Sequence, residues 1–502
     1  MSFPRLTPEE AAAYIADGQT VGFSGFTPAG AAKLVPRALA ARAREEHQAG
    51  RPFRIRVITG ASTGELDDDL AEAEAISWRA PYQSSPRLRA QINSGAVEFV
   101  DMHLSHVPQA LLFGFFGTID LAVVEATEVS PDGQVFLTTS VGLSPTLLHS
   151  AKQIVIELNH RHSPRLREIA DIALLPPPPH RLPIPILEPL AKIGVPFVQV
   201  DPSRIVGIVE HSAPDGVHPF APPDLASQRI ADQVVRFLVE ELRIGRIPPE
   251  FLPLQAGVGN VANAVMARLG AHPDIPDFVM FTEVFQDSLV ALMESGRLLG
   301  ASSTALTLTD PLIQRVYDNF DFFGPRVVLR PQELSNNPGV IRRFGVITIN
   351  TALEIDIYGH ANSTHVAGMN MMNGIGGSGD FTRNSYLSLF MCPSVAKGGR
   401  ISAIVPMASH VDHNEHSVQV VVTDQGLADL RGLGPAARAE RIIDNCAHPA
   451  YRPYLRRYLE RARVGHISHD LATCFELHRN LLGTGQMLPD IDPKMFGEGP
   501  TT

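Results

Sequence analysis

The sequence predicts an α/β protein with mostly parallel sheets, arranged as two tandem domains over residues 1–220 and 221–502. Three observations carry this. Apolar strand-like runs alternate with amphipathic helical segments along the chain, the pattern of α/β layers. The opening of the first part, residues 20–39, runs strand, glycine-rich turn, helix, and residues 252–269 repeat that order. A proline cluster at residues 214–223 breaks the chain between the two copies.

Taken in order, Thr7, Pro8 and Glu10 occupy the N-cap, N1 and N3 positions of a first helix. Strands are expected at residues 20–23, 55–59, 119–125 and 154–157. The apolar stretch 111–126 holds Gly114, Gly117, Asp120 and Glu125, and so reads as buried strand and turn rather than a membrane span. The proline-rich residues 176–189 read as an extended surface connection. A helix over 225–242 is followed by strands at 252–255, 277–281, 346–350 and 418–422. Phe285, Leu289, Leu292 and Met293 keep helical spacing immediately after the 277–281 run.

With 502 residues and 44% hydrophobic content, the chain can bury more than one core and lacks the charge excess of a disordered one. A net charge of −11 argues against nucleic acid as a partner. Cys392, Cys446 and Cys474 are three widely spaced residues, which suits a reducing compartment better than a disulfide framework. Residues 1–14 have no basic and apolar secretion pattern, so a cytoplasmic location without membrane association is expected. Asn362-Ser-Thr is then a chance match to a glycosylation acceptor.

One carboxylate stands out. Glu283 sits where the 277–281 strand turns into the helical pattern, near the carboxyl end of a strand, where open α/β sheets bind ligands. The competing explanation is a helix dipole that favours an acid in the first turn. In the first copy the comparable place is Gly60. Gly257, Val258, Gly259, Asn260 and Val261 form a turn between strand and helix whose N–H groups suit a phosphate or an oxyanion. Gly374, Gly376 and Gly379 match G-x-G-x-x-G, but no acid lies between Asp380 and Asp412 to hold a ribose, which weakens a dinucleotide reading. His410, His413 and His416 drift around a helix at their spacing, so no metal is assigned to them. Lys397 beside two glycines suits a phosphate.

The Gly257–Val261 turn, Thr282-Glu-Val with Gln286-Asp, Ser335-Asn-Asn-Pro, the Gly374–Phe381 loop and Thr423-Asp-Gln-Gly together resemble the acetyl-CoA hydrolase/transferase family. The pattern is most like that of its succinyl-CoA:acetate CoA-transferases, and Gly22–Phe26 and Tyr82-Gln-Ser-Ser extend the likeness to the beginning of the chain. The resemblance implies two CoA-transferase α/β domains and a homodimer. It makes Glu283 the nucleophile that carries CoA as a γ-glutamyl thioester, with Asn336 near it and oxyanion donors at Val261 and Gly377. It puts coenzyme A contacts at Gly257–Val261, Asn373, Gly377 and Lys397, with coenzyme A and acyl-CoA as substrates, small carboxylates as partners, and neither a tightly bound cofactor nor a metal. Where the family pattern has Glu after Thr423, this chain has Asp424, which retracts that carboxylate by about one bond length. A transferase, a hydrolase on the same scaffold, and a catalytically silent binding subunit are the three readings this leaves.

Overall fold

A computed structural model describes residues 3–489. Two compact units emerge. The first comprises the chain up to Pro219 together with Val279–Phe344 and Asn373–Asp380, and the second comprises Phe220–Phe278, Gly345–Met372 and the chain from Phe381 onward. Glu283 therefore belongs to the first unit, although it follows the proline-rich break in sequence.

In the first unit, Thr20–Phe23 runs parallel to Ile55–Ile58 on one side and to Leu121–Val129 on the other. Beyond these, Ile76–Ala80 extends the sheet at one end, while Gln153–Asn159 and Ile205–His211 extend it at the other, all parallel. Glu98–Phe99 adds a short parallel edge beside Ile76–Ala80, and Gln134–Leu137 with Val198–Gln199 forms an antiparallel flap. The strand order follows from burial on both faces, since Thr20–Phe23 and the first six residues of Leu121–Val129 are all buried. The helix Leu34–Gln48 lays Val35, Leu39, Ala40 and Ala43 into this core. The first helix, Pro8–Ala12, begins on the capping box of Thr7 and Glu10. In the second unit, Leu254–Ala256, Ile347–Thr351, Leu387–Met391 and Val420–Thr423 lie parallel in that order, closed by the hairpin to Gly426–Asp429.

Each of the eight expected strands is present, with ends shifted by a few residues. The 111–126 stretch differs: the helix Val107–Leu112 runs into it, and the strand begins only at Leu121. Strands without a clear apolar run carry buried polar residues that find partners. In Ile76–Ala80 the fully buried Arg79 is paired with Asp67 at 2.9 Å. In Leu298–Ser303 the Ser302 hydroxyl accepts from Arg330 at 2.8 Å. Residues 176–189 carry no helix or strand and are mostly exposed. Among the described residues no helix is long and apolar enough to cross a membrane. Asn362 is fully buried and donates to Glu354, so it is inaccessible to a glycosyl chain in the folded unit.

Arg330 holds the end of the strand Val327–Leu329. Its guanidinium is fully buried, paired with Asp171, and donates to the carbonyls of Pro189 (3.1 Å) and Ala191 (2.7 Å). Asp171 also accepts the N–H groups of Ile193 and Gly194 at 2.8 and 2.6 Å. Asp171→Ala leaves a guanidinium unpaired in the interior and is expected to cost about 3–5 kcal/mol, read as a lower denaturant midpoint, whereas adding Arg330→Met should recover much of the loss.

Candidate active site

Glu283 occupies the turn between two strands, Phe278–Phe281 and Val284–Gln286. The expected helix starts later, at Asp287, and Phe285 is a strand residue. A first-turn dipole therefore does not account for the acid. Its backbone is pinned instead. Thr282 N–H donates to Ser302 O at 2.9 Å, and the Glu283 carbonyl accepts Thr304 N–H (2.8 Å), Ala305 N–H (3.3 Å) and the Ser303 hydroxyl (2.9 Å). These contacts fix where the side chain starts.

Its carboxylate meets Asn336, which caps the helix Gln332–Ser335. Asn336 Nδ2–H donates to Glu283 Oε1 at 2.5 Å, and Asn336 Oδ1 accepts the Ser335 hydroxyl at 2.8 Å. Gly377 crowds this same contact. A Cβ there would fall 1.8 Å from Glu283 Oε1 and 2.5 Å from Asn336 Nδ2, so only glycine fits. The loop bearing it is tied down by its neighbours: Asp101 accepts Ile375 N–H at 3.0 and 2.9 Å, and Asp380 accepts Ser105 N–H at 3.0 Å and its hydroxyl at 2.6 Å. At Gly379 a Cβ would lie 2.2 Å from the His103 ring. Gly374 and Gly379 of the G-x-G-x-x-G match thus face side chains at close range, and the strand pair before them is two residues long on each side, which is not a dinucleotide cradle.

Burial raises the Glu283 carboxyl to about 7; the negative charge of Asp380 adds to the rise, and the Asn336 hydrogen bond opposes it. Burial, with the charges of Glu283 and Asp101, likewise pushes the Tyr82 phenol up to about 12, so it stays neutral.

Glu283, Asn336 and Gly377 are brought together in the first unit, and Asn373, whose Nδ2 donates to Gly374 O at 2.9 Å, starts the same loop. Gly257–Val261, Lys397 and Asp424 belong to the second unit. There Gly257 N–H donates to Ile349 O at 3.0 Å, Val258 is exposed, and Gly259, at φ +132°, precedes the helix Asn260–Ala271. Asn260 and Val261 thus begin a twelve-residue helix, with first-turn N–H groups of the kind that receive anions. Lys397, at φ +53°, is exposed in the turn between Val395–Ala396 and Ile401–Ser402. Asp424 accepts Ser394 N–H at 2.5 Å and Gln425 Nε2–H at 2.7 Å. Of the three histidines, His413 is buried against the Phe390 ring, His410 faces Asp412 at 3.2 Å, and His416 is exposed.

Sequence reasoning overlooked Asp380 and Ser105. Asp380 closes the glycine loop and could have been marked as an acid beside that loop; Ser105 carries no signal in the sequence. It also overlooked the largely buried groups Glu125, His162, Asp215 and Glu125, Glu157, His211, in which Asp215 and His211 are half-buried and whose ligand atoms lie close enough to hold a metal. Lys33 takes the cation's place there, its ammonium paired with Glu125 and, at 3.0 Å, with Asp215. His211 Nδ1 accepts Ala213 N–H at 3.2 Å, which leaves its proton on Nε2, facing Glu125 and Glu157.

Two family patterns match the chain: the acetyl-CoA hydrolase/transferase N-terminal domain over residues 2–210 and the C-terminal domain over 313–459. A propanoyl-CoA:succinate CoA transferase of Escherichia coli is 57% identical over 96% of this chain and 99% of its own. The chain belongs to the acetyl-CoA hydrolase/transferase family. Other family members similar to it include a succinyl-CoA:acetate CoA-transferase of Clostridium kluyveri, 42% identical over 96% of this chain and 90% of that one. An acetyl-CoA hydrolase of Schizosaccharomyces pombe is also 42% identical, over 96% of each chain. The crystal structure of RipA from Yersinia pestis shares the fold at 24% identity, with a TM-score of 0.69 over 90% of this chain and 96% of that one. This family member is accordingly an enzyme of the CoA-transferase and acetyl-CoA hydrolase kind.

Because the Glu283 carboxyl lies at about 7 against an ordinary 4.5, the folded state holds its proton more tightly than the unfolded chain. The ionised form is therefore a liability that is absent below the unfolded value and grows to about 3 kcal/mol above pH 7. Glu283→Gln is expected to raise the melting temperature at pH 8 and to change it little at pH 4.5; an equal effect at both values would contradict the raised carboxyl.

Proposed function

We propose that this enzyme transfers CoA between an acyl-CoA, succinyl-CoA or acetyl-CoA, and a short-chain carboxylate such as acetate, through a γ-glutamyl-CoA thioester on Glu283. The observation that carries it is a half-buried carboxylate raised to about 7, held by one amide donor on one oxygen. Such a group is more basic than a surface glutamate yet substantially ionised at neutral pH, which suits a nucleophile.

The steps balance without an external reagent. The free oxygen of Glu283 attacks the thioester carbonyl, the tetrahedral adduct collapses, and CoA thiolate leaves behind a mixed anhydride. The thiolate then attacks Glu283 Cδ, and the acyl carboxylate departs from the glutamyl thioester. In that second attack negative charge develops on Oε1, where the Asn336 N–H already points; one such donor contributes roughly 3–4 kcal/mol in a water-poor site. A second carboxylate reverses both steps and leaves as the new acyl-CoA.

In this reading Val261 and Gly377 are further oxyanion donors, and Gly257–Val261, Asn373, Gly377 and Lys397 contact coenzyme A. The helix start at Asn260 and the tight approach of Gly377 to Glu283 support this. It includes no tightly bound cofactor. Asp424 is retained as a site residue, its carboxylate engaged by Ser394 and Gln425. Assembly as a homodimer rests on the family likeness, and a cytoplasmic setting on the three buried free cysteines. Hydrolysis is the second reading, favoured by the hydrolase name of a relative as similar as one of the transferases. The two differ in whether water or a carboxylate resolves the glutamyl thioester.

Incubation with acyl-CoA alone is expected to leave a CoA adduct on the Glu283 peptide by mass spectrometry, and Glu283→Ala to abolish both adduct and turnover. Normal turnover by that variant would discard the covalent route. In a matrix of acyl-CoA donors with acetate, propionate or succinate, new acyl-CoA should appear faster than free CoA; dominant CoA release would make the enzyme a hydrolase. The acid limb of kcat/KM should rise with pH through about 7, as Glu283 ionises.

A further inference from the structure

The Asn336 carboxamide has to present nitrogen, not oxygen, to Glu283, and the group that decides this is not on its own helix. Ser335 is indifferent, since a hydroxyl can donate to an amide oxygen or accept from an amide nitrogen. An ionised carboxylate only accepts. Asp380 offers two oxygens that already act as acceptors: it is buried, its Oδ1 takes the Ser105 hydroxyl at 2.6 Å, and its Oδ2 takes Ser105 N–H at 3.0 Å and stands 3.4 Å from Asn336 Nδ2. A flipped Asn336 would set its oxygen against this carboxylate and against Glu283 at once. Glu283 alone cannot keep the amide in place through the reaction, because its charge disappears in the anhydride and in the thioester. Asp380 is not acylated, and the two Ser105 hydrogen bonds oppose the rise that burial gives its carboxyl, so its Oδ2 stays an acceptor.

We propose that Asp380, anchored by Ser105, is a positioning residue that holds the Asn336 amide with one N–H on Glu283 Oε1 while Glu283 is acylated and uncharged. This rests on the glutamyl-CoA reading of the site and adds the device that keeps its oxyanion donor aimed. Asp380 also closes the loop that brings Gly377 against Glu283, so one side chain ties together the orientation of the donor and the approach of the glycine.

A double-mutant cycle tests it. Asp380→Asn, which can present either a donor or an acceptor to Asn336, is expected to lower kcat about 10- to 100-fold, the worth of one hydrogen bond to a charged group, with KM for acyl-CoA changed less than about threefold. In an Asn336→Ala background the same substitution should cost less than about threefold, because the residue it acts through is gone. Ser105→Ala keeps the charge but removes one anchor; it should lower kcat by a smaller factor and show the same dependence on Asn336, and it carries the cycle if Asp380→Asn does not fold. Losses that multiply independently of Asn336 would overturn the role of Asp380 while leaving the Glu283 adduct of the unaltered enzyme intact. Absence of that adduct would overturn the glutamyl-CoA reading, and the positioning role with it.

Discussion

The site in the first unit depends on a half-buried carboxylate held, among the described residues, by one amide hydrogen bond. Burial alone would make Glu283 a proton-bound bystander, and a neighbouring ammonium or guanidinium would make it a poor nucleophile by stabilising its charge. One neutral donor lies between those limits, leaving the carboxyl at about 7. Such a balance depends on geometry, because the donor is an amide that works in only one orientation. The pinned backbone at Thr282 and Glu283, the cap position of Asn336 and the missing Cβ at Gly377 all serve that one contact.

The buried acids on the sheet that opens the same unit show the alternative. Glu157 accepts Lys33, Leu34 and Val35 N–H groups at the start of the helix Leu34–Gln48. Glu125 and Asp215 share the Lys33 ammonium and face His162, and these cations hold both below the usual carboxylate range against the opposing effect of burial. His162 in turn is raised to about 9 by the two acids despite its burial. Glu125 and Glu157 are more deeply buried than Glu283, and each is held by several donors, which makes them structural ties. Asp215 also fastens the start of the proline-rich break to the unit, through Gly30 N–H at 3.2 Å and the Thr139 hydroxyl at 2.5 Å.

The two-copy pattern in the sequence gains a physical reading at Gly60. A Cβ there would lie 2.8 Å from Gly25 O and 3.0 Å from Gln332 Oε1. Gln332 begins the helix that Asn336 caps, and its Nε2 donates to Leu104 O at 2.9 Å. The glycine that replaces an acid in the first copy thereby gives room to the helix that carries the amide donor.

Sequence by itself determined the α/β class, eight strands and the carboxylate, because parallel strands buried on both faces print continuous apolar runs and a strand-end acid interrupts one visibly. It also marked Asn336 and Gly377, through motifs rather than geometry. Ile76–Ala80 and Leu298–Ser303 were illegible because their buried Arg79 and Ser302 look like surface residues until Asp67 and Arg330 are placed beside them. The grip of Asp380 on Ser105 and on Asn336 joins residues 275 and 44 apart in the chain. Only tertiary structure could decide it, since a hydrogen bond depends on distances of a few tenths of an ångström and sequence separation carries no trace of them.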